Sequence, residues 1–213
     1  MPDLFIIAGP NGAGKSTYSA LLTLPELSAF DGDKELLKLQ QKYRDIDTAQ
    51  LLEVVNGNLF IEAKEQALKN QKDFAFETNF ASKDVMHTAA FFKEKGYSIN
   101  LIFIGLSSSD RAIERVASRV KKGGHNVDNE QIRYNYKKGI KNLEIFFDHF
   151  DRVMIYDNTS NRKMSPPKLL YKLEKGQIIE KATTIPAWAE FHIGNRLETL
   201  ENLSKHKTPN FKR

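Results

Sequence analysis

Residues Gly9-Pro10-Asn11-Gly12-Ala13-Gly14-Lys15-Ser16-Thr17 follow the pattern G-x-x-x-x-G-K-[ST]. They stand between a short apolar run, Leu4-Phe5-Ile6-Ile7-Ala8, and a helical one opening at Tyr18-Ser19-Ala20-Leu21-Leu22. Strand, glycine loop and helix in that order are the setting that makes the pattern a phosphate-binding P-loop. The glycines let successive backbone N–H groups turn inward on an anion, at a helix N-terminus whose dipole end is positive. All nine residues, Gly9 to Thr17, are therefore read as nucleotide-binding, with Lys15 reaching the β- and γ-phosphates and the Ser16 hydroxyl serving as a ligand for Mg²⁺. A chain built around this loop is committed to an α/β fold.

The rest of the chain agrees. Strand-like and helical stretches alternate, the signature of a central parallel sheet flanked by helices. Leu27 to Phe30 reads as a second strand, ending in Asp31-Gly32-Asp33. A long helix is expected from about Asp47 to Lys69, with apolar residues at helical spacing. Asp73 to Phe76 forms a third strand closed by Glu77-Thr78-Asn79, and Ser98 to Ile104 a fourth. Two helices follow, Ser109–Lys122 and Asn129–Phe150, joined through Gly123-Gly124-His125, with Asp128 and Gln131 as a capping pair. Arg152 to Tyr156 reads as the last strand of the sheet. The P-loop core then spans residues 1–160, with a helical lid at about 108–150. Residues 161–213 form an extension carrying a β-hairpin, Leu169–Leu173 with Gln177–Glu180, as an appendage, and a basic tail.

With 213 residues the chain builds one well-cored domain. No apolar run is long enough to span a bilayer, and the N-terminus enters a strand at once, without a signal peptide. The absence of cysteine excludes disulfides and thiolate metal sites and points to a reducing, cytoplasmic compartment. A net charge of +5 suits a polyanionic ligand. Part of it sits in the tail from Lys205 to Arg213, read as a solvated, disordered end. Nucleic acid is not expected as a partner, because no aromatic residues interleave with the basic ones.

The carboxylates separate the classes of P-loop protein. Motor ATPases place an acid at the end of an apolar strand, but Leu101-Ile102-Phe103-Ile104 runs into Gly105-Leu106-Ser107. This chain offers Asp33 past the second strand and Glu77 past the third, both expected at the carboxyl edge of the sheet where ligands bind. Asp33 there can take the proton of an acceptor hydroxyl as general base; the alternative is that it only caps the next helix. Asp31 reads as a turn residue. Glu77, with Thr78 and Asn79, suits a hydroxyl-rich substrate, or an ordinary strand-end loop. Arg111, Arg115 and Arg119 form one stripe along a helix face, followed by Arg133. Such guanidinium groups stabilise charge developing on a transferring phosphoryl group, although a charged helix face is more often simply solvated. Within the set, Arg115 and Arg133 are the catalytic choices and Arg119 joins the nucleotide site. His125 lies in the hinge loop between the two helices, and Trp188 reads as a packing anchor for the C-terminal segment.

Taken in order, the P-loop, Phe30-Asp31-Gly32-Asp33, Phe76-Glu77-Thr78, Ala112-Ile113-Glu114-Arg115-Val116, Arg119-Val120, Gly123-Gly124-His125 and Tyr156-Asp157-Asn158 resemble zeta-toxin-like kinases, in particular their compact bacterial branch. The resemblance covers about Pro2 to Ser160. It implies a P-loop kinase fold and the ATP- and Mg²⁺-dependent phosphorylation of a small-molecule hydroxyl, which in the better-known members belongs to a UDP-linked N-acetyl sugar. It assigns Lys15 and Ser16 to phosphate and metal, Asp33 to the catalytic base, Glu62 and Glu77 to acceptor binding, and Arg115 and Arg133 to phosphate sensing. It also implies a small helical antitoxin as partner. Two departures stand out: Asp128 where the branch commonly has proline, and Thr78-Asn79-Phe80 where toxins acting on UDP sugars read Gly-Thr-Gly. Beside this reading stand a housekeeping nucleotide, nucleoside or sugar kinase, and an ATP-dependent binding switch without phosphotransfer.

Overall fold

The computed structural model describes residues 1–124, 126–160 and 165–198. His125 and the basic tail lie outside the described residues. The parallel part of the sheet is built from β1 (Asp3–Ala8), β2 (Phe74–Thr78), β3 (Ser98–Gly105) and β4 (Arg152–Asp157). The helices are α1 (Lys15–Leu22), α2 (Gly32–Lys42), α3 (Thr48–Val54), α4 (Phe60–Lys69), α5 (Asp84–Glu94), α6 (Ser109–Val120) and α7 (Asn129–Phe146). A hairpin of β5 (Lys168–Glu174) and β6 (Gln177–Lys181) completes the sheet in the order β2-β1-β3-β4-β5-β6. Among the described residues no helix is long and apolar enough to cross a membrane.

Strand alternation divides the interior into two layers. Leu4, Ile6, Leu101 and Phe103 face one side, against α5, α7 and the C-terminal segment. Phe5, Ile7, Ile102 and Ile104 face the other, against α6 and α1. All eight residues of β3 are buried, as expected of a strand covered on both faces. Each large side chain so enclosed contributes about 1.5–3 kcal/mol.

Four expectations change. Leu27–Phe30 is not a strand: only Phe30 lies beside β2, in a parallel bridge to Phe76 with hydrogen bonds to Ala75 and Glu77, and the chain turns into α2 at Gly32 before the pairing can extend. The expected 47–69 helix is α3 and α4 joined through a π-helical turn, Val55–Leu59, which seats Val55 with Leu36 and Leu51. Asp128 does cap α7, accepting from the N–H groups of Glu130 and Gln131, but Gln131 turns its amide to Asn135 instead of reaching back. The hairpin is no appendage and β4 no last strand. Here β5 pairs antiparallel with β4, and Leu170, Tyr171 and Leu173 enter the main core beside Trp188. Its turn, Lys175-Gly176, has φ of 49° and 77°, the pair of positive values that a tight twisted hairpin requires.

The topology decides where a ligand can go. From β1 the chain moves to β2 on one side, then crosses to β3 on the other. That reversal opens a crevice at the carboxyl end of β1, the place where open α/β sheets bind ligands.

Candidate active site

The crevice is a cleft of about 710 Å³ lined by the P-loop, the start of α2, the end of β2, one face of α6 and the loop after β4. Gly9 leaves β1 at φ 144°, and a Cβ there would fall 2.2 Å from the Ile104 oxygen, so only glycine fits. Gly14 caps α1 in the left-handed region, at φ 95°. The loop is held from three sides. Asn158 Nδ2 donates to the Ala13 oxygen at 2.7 Å, Asn135 Nδ2 to Asn11 Oδ1 at 2.9 Å, and Arg115 Nη1 to the Gly12 oxygen at 3.4 Å. Sequence reasoning had Asn158 only within the Tyr156-Asp157-Asn158 motif, with no role assigned, and missed Asn135 altogether. The one signal for Asn135 is an amide on the core-facing side of an amphipathic helix.

Lys15 spends its donors on the oxygens of Gly9 (2.8 Å) and Pro10 (3.2 Å) and on Asn79 Oδ1 (3.1 Å). Burial pushes its ammonium pKa down, against the attraction of Glu77, Asp33 and Asp31. The Ser16 hydroxyl lies 2.7 Å from Asp31 Oδ2 and 2.6 Å from Glu77 Oε2. A hydroxyl has one proton, so it serves both carboxyls only if one of them is itself protonated. Burial, assisted by the charge of Asp31, pushes the Glu77 carboxyl up and favours that state.

These three oxygens are hard donors of the kind Mg²⁺ takes together with substrate phosphates. Among the described residues no group of three or more His, Cys, Asp or Glu could hold a metal unaided. The set therefore fits a metal that arrives with a nucleotide.

Asp31 is more than a turn residue. It is buried, caps α2 by accepting from Lys34 N–H, and pairs with the Lys34 ammonium at 3.5 Å. Because Asp31 takes the capping role, Asp33 is left on the first turn of α2, exposed to the cleft with no hydrogen-bond or ion-pair partner among the described residues. Thr78 also lines the cleft, and its hydroxyl oxygen accepts from Phe80 N–H at 3.0 Å.

Of the arginines, Arg115 and Arg119 face the cleft, as does Lys122, which sequence reasoning did not single out. Arg115 Nη2 donates to the Ser160 oxygen at 2.8 Å, and burial followed by the nearby Arg111 lowers its pKa. Two expected site residues stand elsewhere. Arg133 is outside the lining, 2.6 Å from Asp110 in an exposed ion pair that ties the first turns of α7 and α6 together. Glu62 is on the solvent side of α4, because Phe60 and Ala63 turn that helix's other face to the core.

A largely parallel sheet with a P-loop at its switch point and helices on both faces defines a P-loop NTPase/kinase fold. The chain belongs to the zeta toxin family, whose model matches residues 1–165. A chain of the PezAT chromosomal toxin–antitoxin system of Streptococcus pneumoniae shares the fold with a TM-score of 0.62 at 19% identity, over 96% of this chain and 85% of that one. A chain of the AvrRxo1-ORF1:AvrRxo1-ORF2 complex with ATP gives 0.64 at 12% identity, over 100% of this chain and 65% of the other. An uncharacterized protein of Haemophilus influenzae is 24% identical over 128 residues, 60% of this chain and 88% of its own length.

Proposed function

We propose that this chain is an ATP-dependent kinase of the zeta toxin type, transferring the γ-phosphate to a hydroxyl of a small metabolite in the cytoplasm. The carrying observation is the cleft itself. P-loop Lys15, the Ser16–Asp31–Glu77 oxygens and the unpartnered carboxylate of Asp33 meet there within one crevice.

In this reading the P-loop N–H groups and Lys15 hold the triphosphate. Asp33 orients the acceptor hydroxyl and accepts its proton as the oxygen attacks the γ-phosphorus, the bond to the β,γ-bridging oxygen breaks and ADP leaves, and Arg115 and Arg119 stabilise the charge that grows on the transferring group. Ser16, Asp31 and Glu77 would hold Mg²⁺, which supplies charge neutralisation on the β- and γ-phosphates. Thr78 and Glu77 present polar groups to the acceptor. The family suggests a UDP-linked N-acetyl sugar for that acceptor, and the PezAT likeness suggests a small antitoxin as partner.

The test is incubation of the protein with Mg²⁺-ATP and metabolite pools, read by mass spectrometry for a gain of one phosphoryl group. The expected outcome is one phosphorylated acceptor, with Asp33→Asn slower by roughly 10²–10⁴-fold. ATP binding without any phosphorylated product would favour a binding switch instead. A product drawn from ordinary nucleotides, nucleosides or sugars, without toxicity on expression, would favour a housekeeping kinase.

A further inference from the structure

Helix α7 carries Gly139 in its interior, where glycine is the least favourable residue short of proline. Its φ is not positive, so no turn requires glycine there. A neighbour does. A Cβ at this position would lie 2.5 Å from the backbone oxygen of Asn79. Further along α7, Asn142 Nδ2 donates to the Phe80 oxygen at 2.8 Å, with both residues buried. Phe80 sits at φ 56°, a conformation a large side chain adopts only when its surroundings compel it. One turn before Gly139, Asn135 holds Asn11 of the P-loop. Residues 135, 139 and 142 share one face of the helix, so a single rigid rod fixes both the P-loop and the Asn79-Phe80 turn.

Between those two anchored segments lies the Lys15 ammonium, at the end of a flexible four-carbon stem. The carbonyls of Gly9 and Pro10 hold it from the P-loop side and Asn79 Oδ1 from across the cleft. We propose that Gly139 is a positioning residue. By admitting the Asn79 backbone against α7, it sets the Asn79 carboxamide where it aims Lys15 at the nucleotide phosphates. The proposal rests on the kinase reading for the identity of the ligand.

Calorimetric titration with Mg²⁺-ATP, which needs no acceptor, compares the wild type with Asn79→Ala, Gly139→Ala and the double variant. Loss of one hydrogen bond to a charged group weakens binding by about tenfold, and each single variant is expected to show it. The double variant should bind no more weakly than Asn79→Ala alone, since the added methyl acts through a side chain already removed. General loosening of α7 would instead give additive losses, and that result overturns the role of Gly139. Wild-type affinity in Asn79→Ala overturns the proposal even if Gly139→Ala does not fold. Failure of the wild type itself to bind Mg²⁺-ATP overturns the kinase reading, and this proposal with it.

Discussion

Asp31 and Asp33 stand two positions apart, and the fold gives them different work. One turns into the protein, caps α2 and meets Ser16, while the other stays in the cleft. Local sequence reveals that a carboxylate caps the helix but not which one, because the choice depends on where Ser16 sits, 15 residues away. Glu77 carries a prediction of its own. Its carboxyl is raised above the ordinary value of 4.5, by burial first and by Asp31 second. The folded protein thus binds this proton more tightly than the unfolded chain. The stabilisation is complete below 4.5 and is lost as pH rises through the folded-state value. Glu77→Gln removes that loss. Thermal melts without nucleotide should show the variant more stable than the wild type at pH 7–8, with the difference closing towards pH 4. An unchanged gap across that range would mean that folding does not shift the Glu77 carboxyl.

At the scale of elements, α6 and α7 divide the arginines. The i, i+4, i+8 spacing on α6 was legible, since residues on one helix share a face wherever the helix docks. The placement of Arg133 was not, because it depends on how α7 packs, and the Asp110 pair turns it outward. Steady-state rates should separate the two. Arg115→Ala is expected to lower kcat by roughly 10²–10³-fold, the range for removing one donor to developing charge. Arg133→Ala, which loses an exposed ion pair, should stay within about twofold of wild type. Comparable losses in both would return Arg133 to the site.

For the molecule as a whole, the C-terminal segment is a buttress of the cleft. The Trp188 ring lies so close to Gly105, at the end of β3, that a Cβ there would be 2.1 Å from it. Its Nε1 donates to Asp157 Oδ1 at 2.9 Å. Asp157 ends β4, and in the loop that follows Asn158 holds the P-loop and Ser160 holds Arg115. Trp188→Ala should therefore cost about 3–5 kcal/mol, and at 2–4 °C per kcal/mol for a chain of this size lower Tm by roughly 6–20 °C. Calorimetric unfolding checks it. A shift of a degree or two would mean that the sheet stands without this segment. Sequence reasoning found the anchor and the hairpin but not the partner strand, since nothing local in β5 names β4.

What the sequence determined alone was what is encoded in neighbouring residues: the P-loop, the alternation of strands and helices, the arginine stripe and the candidate acids. The tertiary structure decided which of these meet. Ser16 and Glu77 are 61 positions apart, Asn11 and Asn135 are 124, and Ala13 and Asn158 are 145. A side chain's type and local spacing state what it can donate or accept. Only the packing of distant elements, driven by burial of the two core layers and by the need to satisfy the polar groups between them, states to whom.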